Sequence, residues 1–268
     1  MGRLAGKRAV ILGASSADNM GQHIARRFLA EGARVLVAGR KAEVLEAFAK
    51  DTGCAWAACD ITDEGSVRAL ADSAAQQLGG IDVAVNATGW GLLKPFLETS
   101  HQELLDMTAL QFIGPYHFYQ AMIGKMATGA GGQGGSIIQI SSATASIMFH
   151  DHAAYMGTKA GTDHVIRCVA NEFGSEGIRA NSLSPGVTET PMTADAQQVP
   201  GLMDSFLSGY PLGRYGTSDD VAAAAVFLAS DECFMTGENL QVNGGLTLRR
   251  NPRKDEIDAA VAKAMEGN

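Results

Sequence analysis

The sequence predicts a doubly wound α/β fold, a parallel sheet of about seven strands with helices on both faces. Short β-rich runs alternate with helix-length amphipathic segments from one end of the chain to the other, as βαβ units require. Two of the runs, ARVLVAG at 33–39 and IDVAVN at 81–86, are almost continuously apolar, which suits strands covered on both sides. Small, polar and turn-forming residues follow the runs, where ligands bind in Rossmann-like folds of this class. With 46% apolar and 19% charged residues over 268 positions, the chain can bury a sizeable core. No break in composition argues for a second unit, so residues 1–268 are expected to form one domain.

The first strand is expected near 7–13 and runs into GASSADNMGQ at 13–22. Gly13 permits a tight turn, Ala14 to Ser16 allow close backbone approach, and Gly21 opens a helix whose free amides favour an anion. This is phosphate-loop chemistry, although the stretch does not spell GxGxxG and a Ser- and Asn-rich surface turn is the alternative. The second strand, near 33–39, is followed by Arg40, where an NAD site would place an acid for the ribose hydroxyls. Arg40 instead suits a 2′-phosphate, which favours NADP(H) over NAD(H); a solvated surface arginine is the other reading. The third strand, near 54–60, ends at Asp60 and Ile61, a carboxylate for an adenine amino group and an apolar contact for its ring. Asp60 serves equally as the N-cap of a helix around 62–78.

The fourth strand, near 81–86, leads into NATG at 86–89. GAGGQGGS at 129–136 precedes a strand near 135–141, so its amides face the wrong edge of the sheet and it reads as a flexible connector. The last strands are expected near 178–184 and 239–243. Within ISSATASIMFHDHAAYMGTKAG, Tyr155 and Lys159 stand four apart on one face of a helix, with Ser142 upstream at a strand end. A tyrosine of pKa about 10 is a poor proton carrier at neutral pH. A neighbouring ammonium would lower that value and make the pair a tuned general acid or base, unless it is an ordinary surface pair.

The net charge of −8 argues against a nucleic-acid surface and for a small-molecule partner. No run of about 18 apolar residues marks a membrane span. The start, MGRLAGKRAV, lacks an export segment, so a cytoplasmic setting is expected. Cys54, Cys59, Cys168 and Cys233 show neither CxxC spacing nor a histidine cluster, so no disulfide framework or metal site is expected.

Several motifs occur in a set order. They are the Gly-rich first loop, Asp60, Asp82 with NATG, Ser142, YMGTK at 155–159, NSLSPGVTETPM at 181–192, and PLGRYGTSDDVAAAAVFLAS followed by TGENLQVNGG. Through them the chain resembles the short-chain dehydrogenase/reductase family as far as Leu248. The resemblance implies that Tyr155 exchanges a proton with the substrate oxygen, that Ser142 polarises that oxygen, and that Lys159 tunes Tyr155 and binds the nicotinamide ribose. It assigns Gly13, Ser15, Ser16, Met20 and Gly21 to the cofactor loop, and Asn86, Ala87 and Gly89 to the adenosine-ribose side. Pro185, Gly186, Thr188 and Thr190 would surround the nicotinamide and diphosphate, and a homotetramer, or a homodimer, is implied.

Two departures stand out. Gly13 reaches Gly21 through seven residues, two more than the family's common spacing, which resembles the divergent enoyl-thioester reductases of the superfamily. Those enzymes usually place six residues between Tyr and Lys, so the active-site motif favours carbonyl chemistry. In ALQFIGPYHFY, Gln111 occupies a position where the family generally has an Asn that completes a proton relay, and the longer amide alters that geometry.

Leu202, Met203, Phe206 and Leu207 recur at helical spacing in a region that forms a mobile lid in the family. With Trp90, Leu92, Met148, Phe149 and Met192, they predict a hydrophobic pocket; His150 and His152 are read as lining or surface. Residues 249–268 extend past the family's usual end, and Ile257, Val261 and Met265 suit either a short amphipathic helix or a charged tail. The expected activity is hydride transfer between NADP(H) and a hydrophobic ketone or secondary alcohol (alicyclic, steroid-like or 3-oxoacyl). Enoyl-thioester reduction and nucleotide sensing are the alternatives.

Overall fold

The computed structural model describes residues 2–266, and the side chain of Met192 lies outside what is described, as does the substrate role expected of it. Seven parallel strands form one sheet. They are β1 (Arg8–Leu12), β2 (Arg34–Gly39), β3 (Ala55–Ala58), β4 (Val83–Asn86), β5 (Gly135–Ile140), β6 (Ile178–Pro185) and, after a separate short pair β7 (Thr188–Glu189) and β8 (Gly216–Thr217), β9 (Asn239–Val242). Their order across the sheet is β3-β2-β1-β4-β5-β6-β9. All seven lie where the sequence expects them, with ends shifted by a few residues. The chain moves outward from β1 to β3, then returns to lay β4 on the other side of β1. That reversal opens a crevice between the carboxyl ends of β1 and β4.

The helices are α1 (Met20–Ala30), α2 (Ala42–Thr52), α3 (Glu64–Leu78), α4 (His101–Thr108), α5 (Gly114–Met126), α6 (Ala153–Phe173), α7 (Ala194–Gln197), α8 (Leu202–Leu207), α9 (Ser218–Ala229) and α10 (Lys254–Glu266). Alternate strand side chains point to opposite faces and so build two cores. Val10, Leu12, Ala84 and Ile137 pack with Leu70 of α3, Phe118 of α5 and Ile166 of α6. Ala9, Ile11, Val85 and Ile138 pack on the other side with Phe28 of α1, Leu45 of α2 and Val226 of α9. This two-sided burial is why these strands read as apolar runs rather than as alternating patterns.

Helix α3 starts at Glu64 and is capped by Asp63, which accepts from the N–H groups of Gly65 and Ser66. The N-cap alternative for Asp60 is thereby corrected: the cap lies three residues later. The segment 129–136 does sit at the amino edge of the sheet, but it is not a slack connector. Thr128–Ala130 form a 3-10 turn whose Thr128 hydroxyl donates to Glu176 (2.9 Å), and β5 already begins at Gly135.

A third, smaller core gathers Ala143, Phe206, Tyr210, Leu246 and Ile257, with Leu202 and Val261 against it. The extension therefore forms a helix, α10, that packs on α8 of its own chain, while its third periodic residue, Met265, stays exposed. Asn251, buried, donates from Nδ2 to the Met148 carbonyl (3.1 Å) and ties the same extension to the loop before α6. No helix among the described residues is long and apolar enough to cross a membrane.

Candidate active site

At the end of β1, Gly13 has φ 108, a left-handed conformation that L side chains avoid. A Cβ on it would also lie 2.6 Å from the carbonyl carbon of Ala87, at the end of β4. The two loops thus touch backbone to backbone across the crevice. The N–H groups of Gly13 and Ala14 donate to the Ala38 carbonyl of β2 (2.9 and 3.0 Å). Asn19 caps α1 by accepting from Gln22 N, and its Nδ2 donates to the Gly13 carbonyl (2.8 Å). Gln22, buried, donates to the Ala14 carbonyl (3.0 Å) and accepts from Asp18 N (3.0 Å).

These braces hold the long loop in place. Among the described residues, the N–H groups of Ser15, Ser16 and Ala17 meet no acceptor. Sequence reasoning missed Asn19 and Gln22 as braces, although an Asn followed by Gln three positions later at a helix start is a capping-box signal. Met20 and Gly21 form the first residues of α1, as expected.

Ser15 lies over the end of β2, where its Oγ accepts from Lys41 N (3.3 Å). Arg40 follows β2 directly and is exposed. The Asp60 carboxyl is held below the usual range, chiefly by the Thr62 N–H (3.0 Å) and hydroxyl (2.8 Å), with the Arg40 charge adding to the effect. Arg40 and Asp60 therefore share one edge of the crevice, with Ile61 buried behind them.

Asn86 departs from expectation. Its side chain is fully buried, with Nδ2 donating to Gln139 Oε1 (2.9 Å) and Oδ1 accepting from the Thr88 N–H (3.1 Å) and hydroxyl (2.8 Å). The amide is engaged inside the core at both its oxygen and its nitrogen, so what Asn86 presents to the crevice is the loop it braces, including Ala87 and Gly89. On the far side β6 ends at Pro185. Val187 N donates to the Tyr210 hydroxyl (2.6 Å), and Thr188, buried, donates from Oγ1 to the Gly186 carbonyl (3.1 Å). Thr190 opens the 3-10 turn Pro191–Thr193 at the foot of α7.

Between these walls stand Ser142, Tyr155 and Lys159. Ser142 caps a 3-10 turn after β5 and shares a hydrogen bond with the Thr144 hydroxyl (2.8 Å). Tyr155 and Lys159 sit one turn apart near the start of α6, with Lys159 Nζ 5.6 Å from the Tyr155 ring centroid. Lys159 is 3% exposed, and its ammonium donates to the Ile140 carbonyl (2.8 Å). Burial pulls it down to about 8, against the charge of Asp163 one turn further along the helix.

Burial pushes the Tyr155 phenol up, with Ser142 pulling the other way and Asp163 adding to the rise. The net direction is opposite to the one expected from a neighbouring ammonium, with desolvation the largest cause. Asp163 itself was not anticipated, although Tyr155, Lys159 and Asp163 fall at successive i+4 positions on one face. Its Oδ2 accepts from Ser141 Oγ (2.7 Å) and Asn239 Nδ2 (2.6 Å), and burial pushes the carboxyl up.

Gln111 lies in a π-helical turn, Ala109–Ile113, between α4 and α5 and is 2% exposed. Its main-chain carbonyl accepts from Thr162 Oγ1 (2.6 Å), and its Nε2 donates to Thr158 Oγ1 (3.2 Å) and contacts the Met107 sulfur. Its Oε1 is buried without a partner. A Cβ placed on Gly89 would lie 3.3 Å from that oxygen and 3.8 Å from Lys159 Nζ, so the amide oxygen and the ammonium flank the same backbone.

On the open side, Phe149 packs against His150 (ring centroids 4.6 Å) and against Phe206 of α8 (5.5 Å). His152 stacks on Tyr155 with centroids 4.3 Å apart and rings 25° from parallel. Trp90 and Met148 are exposed at the rim. Among the described residues no three His, Cys, Asp or Glu side chains gather as a metal-ligand set.

A family model described as enoyl-(acyl carrier protein) reductase matches residues 13–247. The chain is 37% identical over 253 residues to a D-threitol dehydrogenase of Mycolicibacterium smegmatis, covering 92% of this chain and 95% of that one. It is 34% identical over 254 residues to a mitochondrial borneol dehydrogenase of Lavandula x intermedia, covering 92% of each. A solved short-chain type dehydrogenase/reductase from Mycobacterium ulcerans superposes with TM-score 0.89 at 26% identity, covering 98% of both chains. The crevice at the β1–β4 reversal, the Ser142, Tyr155 and Lys159 cluster beside it, and these likenesses converge on one assignment: the chain belongs to the short-chain dehydrogenase/reductase family.

Proposed function

We propose that the protein is an NADP-dependent oxidoreductase interconverting a secondary alcohol and its ketone on a largely hydrophobic carbon frame. The observation that carries this reading is the convergence of Ser142, Tyr155 and Lys159 beside the β1–β4 crevice. The unpartnered amides of Ser15 and Ser16 suit a diphosphate at a helix start. The exposed Arg40, free of any acid at the end of β2, suits a 2′-phosphate. When bound, the nicotinamide cofactor supplies or takes up the hydride. Tyr155, kept protonated by burial, gives its proton to the carbonyl oxygen in reduction and recovers it in oxidation. Ser142 donates to the same oxygen and holds it in place. Lys159 holds the nicotinamide ribose, and Gln111 Oε1, the unpartnered acceptor beside it, orients its proton supply.

The frame is read from Phe149, which meets the His152 ring stacked on Tyr155 and packs on Phe206, and from the exposed Trp90 and Met148. Of the two relatives, the borneol dehydrogenase bears a name that agrees with this frame, whereas the name of the D-threitol dehydrogenase points to a polyol. A panel of alicyclic ketones, 3-oxoacyl thioesters and enoyl thioesters tests the assignment through NADPH oxidation. Turnover confined to enoyl thioesters would replace it by the second reading, enoyl-thioester reduction, which the lengthened first loop and the matched family model favour.

Arg40→Asp is expected to raise the KM for NADPH about 10- to 100-fold, the worth of a charge-assisted pair, while leaving NADH little changed. An unaltered NADPH-to-NADH ratio would remove Arg40 from the cofactor site. We also propose self-association as a homotetramer or homodimer. The supporting feature is the row of exposed apolar residues along α4, the π turn and α5, namely Leu104, Leu105, Phe112, Ile113 and Tyr116. Sedimentation velocity is expected to show an oligomer at micromolar concentration, and a monomer there would refute it.

A further inference from the structure

We propose that His152 is a specificity-determining residue whose Nε2 accepts a hydrogen bond from a second hydroxyl, carried on the carbon next to the reacting one. On the oxidoreductase reading above, the preferred substrates are then vicinal diols and α-hydroxyketones on an apolar ring.

His152 stands at the N-cap position of α6, yet its side chain makes no capping bond. A Ser, Thr, Asp or Asn at that position would stabilise the helix by about 0.5 to 2 kcal/mol, so the imidazole is not there for the helix. Its Nδ1 lies 2.7 Å from the Leu92 carbonyl. A carbonyl oxygen only accepts, so Nδ1 carries the proton and the neutral ring leaves a lone pair on Nε2. Burial, with His150 adding to the effect, lowers the imidazole's proton affinity and keeps the ring neutral near pH 7.

Among the described residues no side chain or backbone group bonds to Nε2, and it is not among the sealed, unpartnered polar atoms. Nε2 therefore keeps some access to solvent. Two tethers hold the ring's surroundings: the bond to Leu92, and the Lys94 N–H donating to the Asp151 carbonyl (2.6 Å). Asp151 itself has φ 57, an uncommon conformation outside glycine, held by those tethers.

The ring of His152 stacks against the proton donor. Its face lies 4.3 Å from the Tyr155 ring centroid, and its edge meets Phe149 at 5.8 Å. Phe149 in turn packs on His150 and on Phe206 of α8, so His152 stands in a cluster of aromatic and imidazole rings. An oriented acceptor in such a cluster favours a ligand that brings a donor, and it disfavours the analogue lacking one. With the two rings stacked, the donor the proposal assigns to Nε2 is a hydroxyl on the carbon next to the one whose oxygen Tyr155 serves.

The test compares kcat/KM for trans-1,2-cyclohexanediol and cyclohexanol in the wild type, His152→Phe and His152→Gln. Phe keeps the stacked ring and removes the acceptor, while Gln restores an acceptor without the ring. The wild type is expected to prefer the diol by about 10- to 100-fold. His152→Phe should lose that preference, its kcat/KM falling about 10- to 100-fold further on the diol than on cyclohexanol, and His152→Gln should regain part of it. Equal losses on both alcohols in His152→Phe, or no diol preference in the wild type, would overturn the proposal and leave His152 as a support for Tyr155. Turnover of neither alcohol beside turnover of enoyl thioesters would instead overturn the underlying oxidoreductase reading, and the proposal with it. Should His152→Phe fail to fold by circular dichroism, the wild-type ratio and the His152→Gln variant still decide the matter.

Discussion

Tyr155→Phe is expected to lower kcat for ketone reduction by about 10²- to 10⁴-fold, the usual contribution of a positioned general acid. Phenylalanine keeps the ring that stacks on His152 and fills the same volume, so the pocket and the helix start survive. What disappears is the hydroxyl that burial holds in its protonated form. Cofactor affinity should stay within a few-fold of wild type, because Lys159 keeps its bond to the Ile140 carbonyl and the loop after β1 is untouched. Steady-state NADPH oxidation, paired with titration of cofactor fluorescence, separates the two effects. A kcat within tenfold of wild type would mean that the proton comes from elsewhere.

The second large effect is expected at the loop itself. Gly13→Ala combines a left-handed φ of 108 with a Cβ that would lie 2.6 Å from the Ala87 carbonyl carbon. The obstruction is backbone and cannot swing aside, so the β1 and β4 loops must separate. Conformational strain and overpacking each cost about 1 to 3 kcal/mol, so a loss of about 2 to 6 kcal/mol is expected. For a chain of this size that corresponds to a Tm lower by on the order of 10 °C. The same separation displaces the amides of Ser15 and Ser16, so NADPH affinity should fall as well. Thermal unfolding with and without NADPH measures both, and a variant with wild-type Tm and affinity would show that the loops do not meet as described.

The strand-helix alternation, the residues at the strand ends and the Tyr155–Lys159 spacing were legible in the sequence because each is written in near neighbours. Hydrophobic period marks burial on one or two faces, a four-residue step puts two side chains on one helical face, and glycine marks a turn. The helical reading of 249–268 was legible for the same reason, but its docking on α8 depended on Leu202 and Phe206, which lie some fifty residues away in sequence.

Tertiary structure alone decided which polar groups face the crevice. Asn86 looked like a cofactor contact, yet its amide is consumed by Gln139 and Thr88. Asp60 read equally as a cofactor contact and as an N-cap until α3 was found to start at Glu64 and to be capped by Asp63. The direction of the Tyr155 shift depended on burial, with Ser142 and Asp163 acting in opposite senses, and the tautomer of His152 on a carbonyl sixty positions earlier. Local propensity acts through residues a few positions apart, whereas desolvation and hydrogen-bond saturation depend on segments that meet only when the sheet and its helices close over one another.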